Sequence, residues 1–176
     1  ALERAVDLKV LCGTRFGPLG SYAWRDHLER RLPKLVQGLS TGRGYYVGRP
    51  VIITRNDYIT GVFNGDTGIV IRNDARTVVA MPGGPDGIRL VLPSQLAAVE
   101  TWWAMTIHKS QGSEFAHAVV SLPDARSRVL TRELLYTAIT RGRHEVVLVG
   151  TTAALEASIT RVVSRASGLA ELLTTP

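Results

Sequence analysis

The order of apolar and polar positions divides the chain into three stretches of different texture. The first opens with a β-leaning run, residues 5–12, that ends in the turn material of residues 13–20. A helix is predicted over residues 21–31: Tyr22, Trp24 or Ala23, Leu28 and Leu32 fall near the i, i+3/i+4 spacing, Ser21 suits the N-cap and Pro33 closes the pattern. After the glycine-containing linker of residues 39–44 the texture changes. Four short β-type runs, residues 50–54, 67–71, 77–81 and 88–92, are punctuated by turns at residues 64–66, 73–74 and 82–87, the pattern of a small β-barrel.

Near Glu100 the alternation of apolar runs and helical patterns resumes. Residues 101–107 read as a strand, a helix is expected to begin just after, and residues 118–122 and 145–150 read as strands. Helices are expected over residues 131–141 and, amphipathic and terminal, over residues 153–165. Strand–helix alternation of this kind implies a mainly parallel sheet with helices packed on it. The expected organisation is thus a discontinuous α/β domain of residues 1–47 plus 99–176, interrupted by a β module of residues 48–98. Of Trp102 and Trp103, one is expected to face the core and its neighbour the opposite side of the sheet.

Composition narrows the class. With 45% apolar residues, 176 residues can bury an ordinary core without metals or disulfides. The single cysteine, Cys12, sits in an apolar run, so no disulfide framework is possible; a buried thiol and a reducing, cytoplasmic setting are expected. No apolar stretch approaches the roughly 20 residues of a bilayer span, and residues 1–4 lack a signal-peptide layout, so no membrane partner is expected. The net charge is +6, the pI is near 10.0, and every basic residue except Lys9, Lys34 and Lys109 is arginine. That balance favours an anionic partner such as nucleic acid.

Candidate chemistry concentrates in two segments. In Thr106-Ile107-His108-Lys109-Ser110-Gln111-Gly112-Ser113-Glu114-Phe115, polar side chains crowd the end of an apolar strand, where free backbone N–H groups favour an anion. Gly112 permits close approach of a phosphate, Thr106, His108, Lys109 and Ser110 supply donors for phosphate oxygens, and Glu114 suits a sugar hydroxyl. The second segment, residues 133–143, is a helix running into Gly142. Leu134, Leu135, Ala138 and Ile139 form its buried stripe, leaving Tyr136, Thr137, Thr140 and Arg141 to other surfaces. An arginine at a domain edge can bind phosphate oxygens in bidentate fashion and stabilise a transferring γ-phosphate.

These segments resemble motifs V and VI of superfamily 1 helicases, and their wording is similar to the RecD family, the exodeoxyribonuclease V alpha subunits and their stand-alone relatives. Residues 48–58 and 63–68 extend the likeness into the β module, so that it covers residues 9–150. The resemblance implies a RecA-like second motor domain carrying an inserted SH3-like β-barrel, and a 5′-to-3′ DNA helicase acting in recombination or repair. It implies Arg141 as an arginine finger at the γ-phosphate of ATP, with Arg15, in the position of motif IV, as a second γ-phosphate ligand. Gln111, Gly112 and Glu114 are set toward the nucleotide; Thr106, His108, Lys109, Ser110, Tyr136 and Thr137 toward single-stranded DNA.

The sequence contains no Gly-x-x-x-x-Gly-Lys-Ser/Thr, the loop that cradles β- and γ-phosphates, and no strand ending in paired acidic residues for Mg²⁺. Gly83-Gly84-Pro85-Asp86-Gly87 reads as a hairpin loop. ATP with Mg²⁺ is therefore expected to be shared with an N-terminal motor domain outside this sequence, which makes the chain a piece of a larger motor and inactive alone as an ATPase. That domain, single-stranded DNA and other subunits of a recombination nuclease are the expected partners, and no metal site of the chain's own is expected. Tyr45, Tyr46, Tyr58 and Phe63 are candidates for stacking on bases, with core packing the expected role for at least two of them. Two other readings fit the same motifs: a Pif1-like or relaxase helicase, and a non-catalytic nucleic-acid-binding adaptor with a degenerate RecA-like fold.

Overall fold

The computed structural model describes residues 7–163 apart from Arg43 and Pro85. The first two residues of the expected opening strand, the last two of the expected terminal helix, and parts of the expected linker and hairpin loop lie outside the described residues. Two sheets organise the rest. Strands β1 (Leu8–Cys12), β7 (Ala104–Thr106), β8 (Phe115–Ser121) and β9 (Gly142–Val149) form a parallel sheet in the order β7-β1-β8-β9. Apart from Lys9 on β1 and His117 on β8, its central strands are largely apolar on both faces, as a sheet covered on both sides requires. On one face Val10, Cys12 and Ala104 pack beneath Trp24 and Leu28 of helix α1 (Ser21–Leu35). On the other, Leu11, Ala118 and Val120 meet Leu134, Leu135 and Ala138 of helix α2 (Arg132–Ile139) and Ala154 of helix α3 (Thr152–Thr160). Thr131 and Thr151 cap α2 and α3, each hydroxyl accepting a backbone N–H three residues on.

Strands β2 (Pro50–Ile53), β3 (Thr67–Asn73), β4 (Arg76–Pro82), β5 (Ile88–Val91) and β6 (Val99–Thr101) form a five-stranded antiparallel sheet in the order β5-β4-β3-β2-β6. It encloses a core of its own, from Val51, Ile53 and Val62 through Val70, Val79 and Met81 to Val91 and Leu96. Gly68 is required there, because a Cβ would stand 2.7 Å from the Ala80 carbonyl oxygen and 2.8 Å from Val79.

Four local expectations are corrected. The run 101–107 is two strands: β6 closes the antiparallel sheet and β7 edges the parallel one, with the chain passing between sheets at Trp102 and Trp103. Trp102 is buried against Phe115, whereas Trp103 is half-buried and donates its indole N–H to the Tyr46 hydroxyl. No helix follows Ile107: a single 3₁₀ turn, His108–Ser110, ends at Gly112, whose φ of +84° breaks the pattern. Ser21 is the first helical residue and Gly20 the N-cap. Pro33 lies inside α1, which continues to Leu35. Proline has no N–H to give the Glu29 carbonyl four residues earlier, and the Thr41 hydroxyl donates to that carbonyl instead.

Among the described residues, no helix is long and apolar enough to cross a membrane.

Candidate functional site

Register fixes where each candidate stands. Cys12 is paired with Thr106 on one side and with Ser121 on the other, so the turns after β1 and β7 leave the same, C-terminal, edge of the parallel sheet. Residues 107–114 then cross the face of the sheet to reach Phe115, the first residue of β8. Helix α2 makes the same crossing beside them, and Arg141 directly precedes Gly142, which pairs with Phe115. The two candidate segments therefore lie side by side.

At the far end of that crossing they are joined. The Arg141 guanidinium donates from Nη1 to the Ser113 carbonyl at 3.1 Å, from Nε to the Thr137 carbonyl at 3.2 Å, and from Nη2 to Thr140 Oγ1 at 3.3 Å. The Phe115 backbone N–H returns a bond to the Arg141 carbonyl at 2.8 Å. Arg141 is half-buried, and the acceptors holding it are neutral. An anionic oxygen brought to this edge offers a stronger, charge-assisted partner than any of them. Gln111, Gly112 and Glu114, exposed in the same crossing segment, flank this position.

At the near end a groove of about 260 Å³ runs between the turn and α2, lined by His108, Gln111, Arg128, Glu133 and Thr137 among others. His108 is exposed there, and Thr137 is half-buried with its hydroxyl given to the Glu133 carbonyl. The Glu133 carboxylate accepts the Val163 N–H, and hydrogen bonds to backbone N–H groups, its own first, hold its pKa below the ordinary range. Tyr136 stands out from α2, largely exposed.

Three candidates behave differently from expectation. Ser110 is buried and donates its hydroxyl to the Ile107 carbonyl, so it shapes the turn and presents nothing to a ligand. Lys109 points away from the His108 groove, and its Nζ lies 3.1 Å from Glu100 Oε2 on β6 of the antiparallel sheet. Arg15 is exposed at the C-terminal edge, whereas Arg141 sits at the edge where β8 and β9 begin. The fold does not bring those two arginines together. Thr106 is half-buried, and its Oγ1 accepts the Lys109 backbone N–H.

Sequence reasoning missed the contacts that tie the two sheets together. Glu29 of α1 accepts from the Tyr46 hydroxyl at 3.0 Å, which in turn accepts from the Trp103 indole at 2.9 Å. Within the antiparallel sheet, Arg49, just ahead of β2, donates to Thr101 Oγ1 on β6 and to the Gly44 carbonyl. Burial pushes the Tyr46 hydroxyl up to about 12, because its charged form would be desolvated beside Glu29. No local periodicity signals such pairs. Of the aromatics proposed for stacking, Tyr45 and Tyr46 are half-buried, whereas Tyr58 is 80% exposed and Phe63 stands beside it edge to face.

Residues 101–149 match the UvrD-like helicase C-terminal domain. The RecBCD enzyme subunit RecD of Mycobacterium tuberculosis is 42% identical over 171 residues, 96% of this chain and 29% of that protein. The ATP-dependent RecD2 DNA helicase of Deinococcus radiodurans is 32% identical over 160 residues, 88% of this chain and 21% of that protein. The chain thus spans less than a third of the length of these relatives. In fold it is similar to the crystal structure of Pif1 helicase from Bacteroides in complex with ADP-AlF3 and ssDNA, with a TM-score of 0.54 and 17% identity, covering 96% of this chain and 44% of that one.

Proposed function

Because the chain belongs to the RecD family and corresponds to a C-terminal portion of it, we propose that it is the second motor lobe of an ATP-dependent DNA helicase. It grips the backbone of single-stranded DNA and supplies an arginine to ATP that a separate motor domain holds with Mg²⁺. In this reading the parallel sheet and its helices are the RecA-like domain, and the antiparallel sheet is its SH3-like insertion, with the join at Trp102. The parent helicase moves 5′-to-3′ on DNA and serves recombination or repair, alone or as a subunit of a nuclease complex.

The observation that carries the reading is the Arg141–Ser113 hydrogen bond, which joins the end of α2 to the segment that carries Gly112 and Glu114 and, farther back, His108. ATP closure brings the γ-phosphate to Arg141, and the guanidinium exchanges a neutral carbonyl for a charged oxygen. The Ser113 end of the crossing segment is thereby released, and His108, farther back on the same segment, shifts against the strand. Hydrolysis removes the anion, Arg141 returns to Ser113, and the two lobes alternate in their hold. Contacts to sugar and phosphate make binding independent of sequence and sensitive to salt. Arg15, at the other edge of the sheet, has no part in this site.

The test is DNA-stimulated ATP hydrolysis by the parent helicase carrying Arg141→Ala. Turnover is expected to fall about 10³-fold or more while ssDNA affinity changes only a few-fold; turnover within tenfold of wild type removes Arg141 from the reaction.

A further inference from the structure

Neighbouring side chains on the His108–Ser110 turn diverge. His108 enters the groove beside α2, whereas Lys109 reaches across to the antiparallel sheet, where Glu100 holds its ammonium at 3.1 Å. The pair bridges the two sheets. Glu100 lies on β6 opposite Ile52, and Lys109 lies on the turn that leaves β7. Their side chains are 43% and 28% exposed, so both remain within reach of solvent and of a ligand. A partly exposed ion pair contributes little to folding, and a phosphate can take over the ammonium at small net cost.

We propose that Glu100 is a competitor built into the DNA-binding surface: it occupies Lys109 in the DNA-free state and is displaced from it by a backbone phosphate. The inference rests on the helicase reading above and deepens it. Glu100 limits the grip on the strand, so that the motor can let go, and each displacement frees the antiparallel sheet from the DNA-facing turn. Lys109 suits the exchange because an ammonium is a compact charge on a flexible stem, without the fixed fork that would lock it to one carboxylate.

The 176-residue chain is titrated with a fluorescent single-stranded oligonucleotide from 50 to 300 mM NaCl. E100Q is expected to bind about three- to tenfold more tightly at 0.1 M salt. Its log K against log salt slope should match that of wild type, because the same phosphate is neutralised in both bound states. K109Q is expected to weaken binding by less than the E100Q gain, because the phosphate contact it removes first had to break the ion pair, and to make the salt slope shallower by about 0.7. The double variant should match K109Q. An E100Q affinity equal to wild type overturns the proposal, as does a tightening that survives in the double variant, which would make Glu100 a general repulsive charge. A K109Q loss equal to the full E100Q gain overturns it too. If neither wild type nor any variant binds the oligonucleotide, the DNA-binding reading itself falls and takes this inference with it.

Discussion

Lys9 makes the stability of the fold depend on pH in an unusual direction. Its side chain is 1% exposed on β1, its Nζ lies 3.8 Å from the centroid of the Trp102 ring, and burial pushes its pKa from 10.5 down to about 7. Between those two values the folded chain has released the proton and the unfolded chain still holds it. The unfolded state thus binds more protons, and stability climbs as pH rises from about 7. Below 7 both states are protonated and the cost of burying the charge is felt in full. That cost is about 5 kcal/mol at most, taking ~1.4 kcal/mol for each pKa unit, and the cation–π contact offsets up to about 2 kcal/mol of it. Cys12 acts the other way above pH 9, since burial raises its thiol to about 12 while the unfolded thiol ionises from 9.0 upward. The window for measurement is therefore pH 7 to 9, where urea unfolding followed by tryptophan fluorescence should show wild-type stability rising by about 2 kcal/mol. Lys9→Met keeps the volume and removes the charge: it should be about 2–3 kcal/mol more stable than wild type at pH 7 and nearly flat to pH 9. A flat wild-type profile, or the same slope in both proteins, would refute the reasoning.

Two other substitutions probe the joints of the structure. Tyr46→Phe removes the hydroxyl between Glu29 and Trp103 and strands the indole N–H, at a cost of about 1–3 kcal/mol; a change under ~0.3 kcal/mol in urea unfolding would mean that the link bears no weight. Gly68→Ala drives a methyl into the Ala80 carbonyl across the β3–β4 pair and should lower the Tm with a loss of about 1–3 kcal/mol; an unchanged Tm would show that the hairpin yields at little cost.

Much of the architecture was legible in the chain because it is written in local periodicity. The short alternating runs from residue 50 to residue 92 became β2 to β5, and the buried stripe of Leu134, Leu135 and Ala138 faces the sheet as its spacing demanded. Features that depend on partners distant in sequence were not legible. The apolar run through Trp102 and Trp103 is continuous in composition, and only three-dimensional pairing reveals that the chain changes sheets there. Ser110 has the composition of an exposed donor but lies buried. Lys109 has the composition of a free phosphate ligand but meets Glu100, a contact across two elements. Pro33 follows a stop rule whose cost Thr41 offsets from eight residues away. Arg15 and Arg141 look equivalent in the sequence and are separated by the length of the strands between them.

The register Val10↔Ala104 pairs β1 with a strand that the chain reaches only after completing the whole antiparallel sheet. Closing so long a loop as a floppy coil carries a large entropic toll and slows the search for the contact. A pre-assembled antiparallel sheet shortens the effective loop, because it holds β2 and β6 side by side and delivers the two ends of the excursion together. During synthesis, which runs from the N-terminus, β1 and α1 must then wait, exposing their apolar faces until the later strands arrive. Until β7 and β8 dock, β1 lacks both of its strand partners, and its two edges stay open to pairing with other chains.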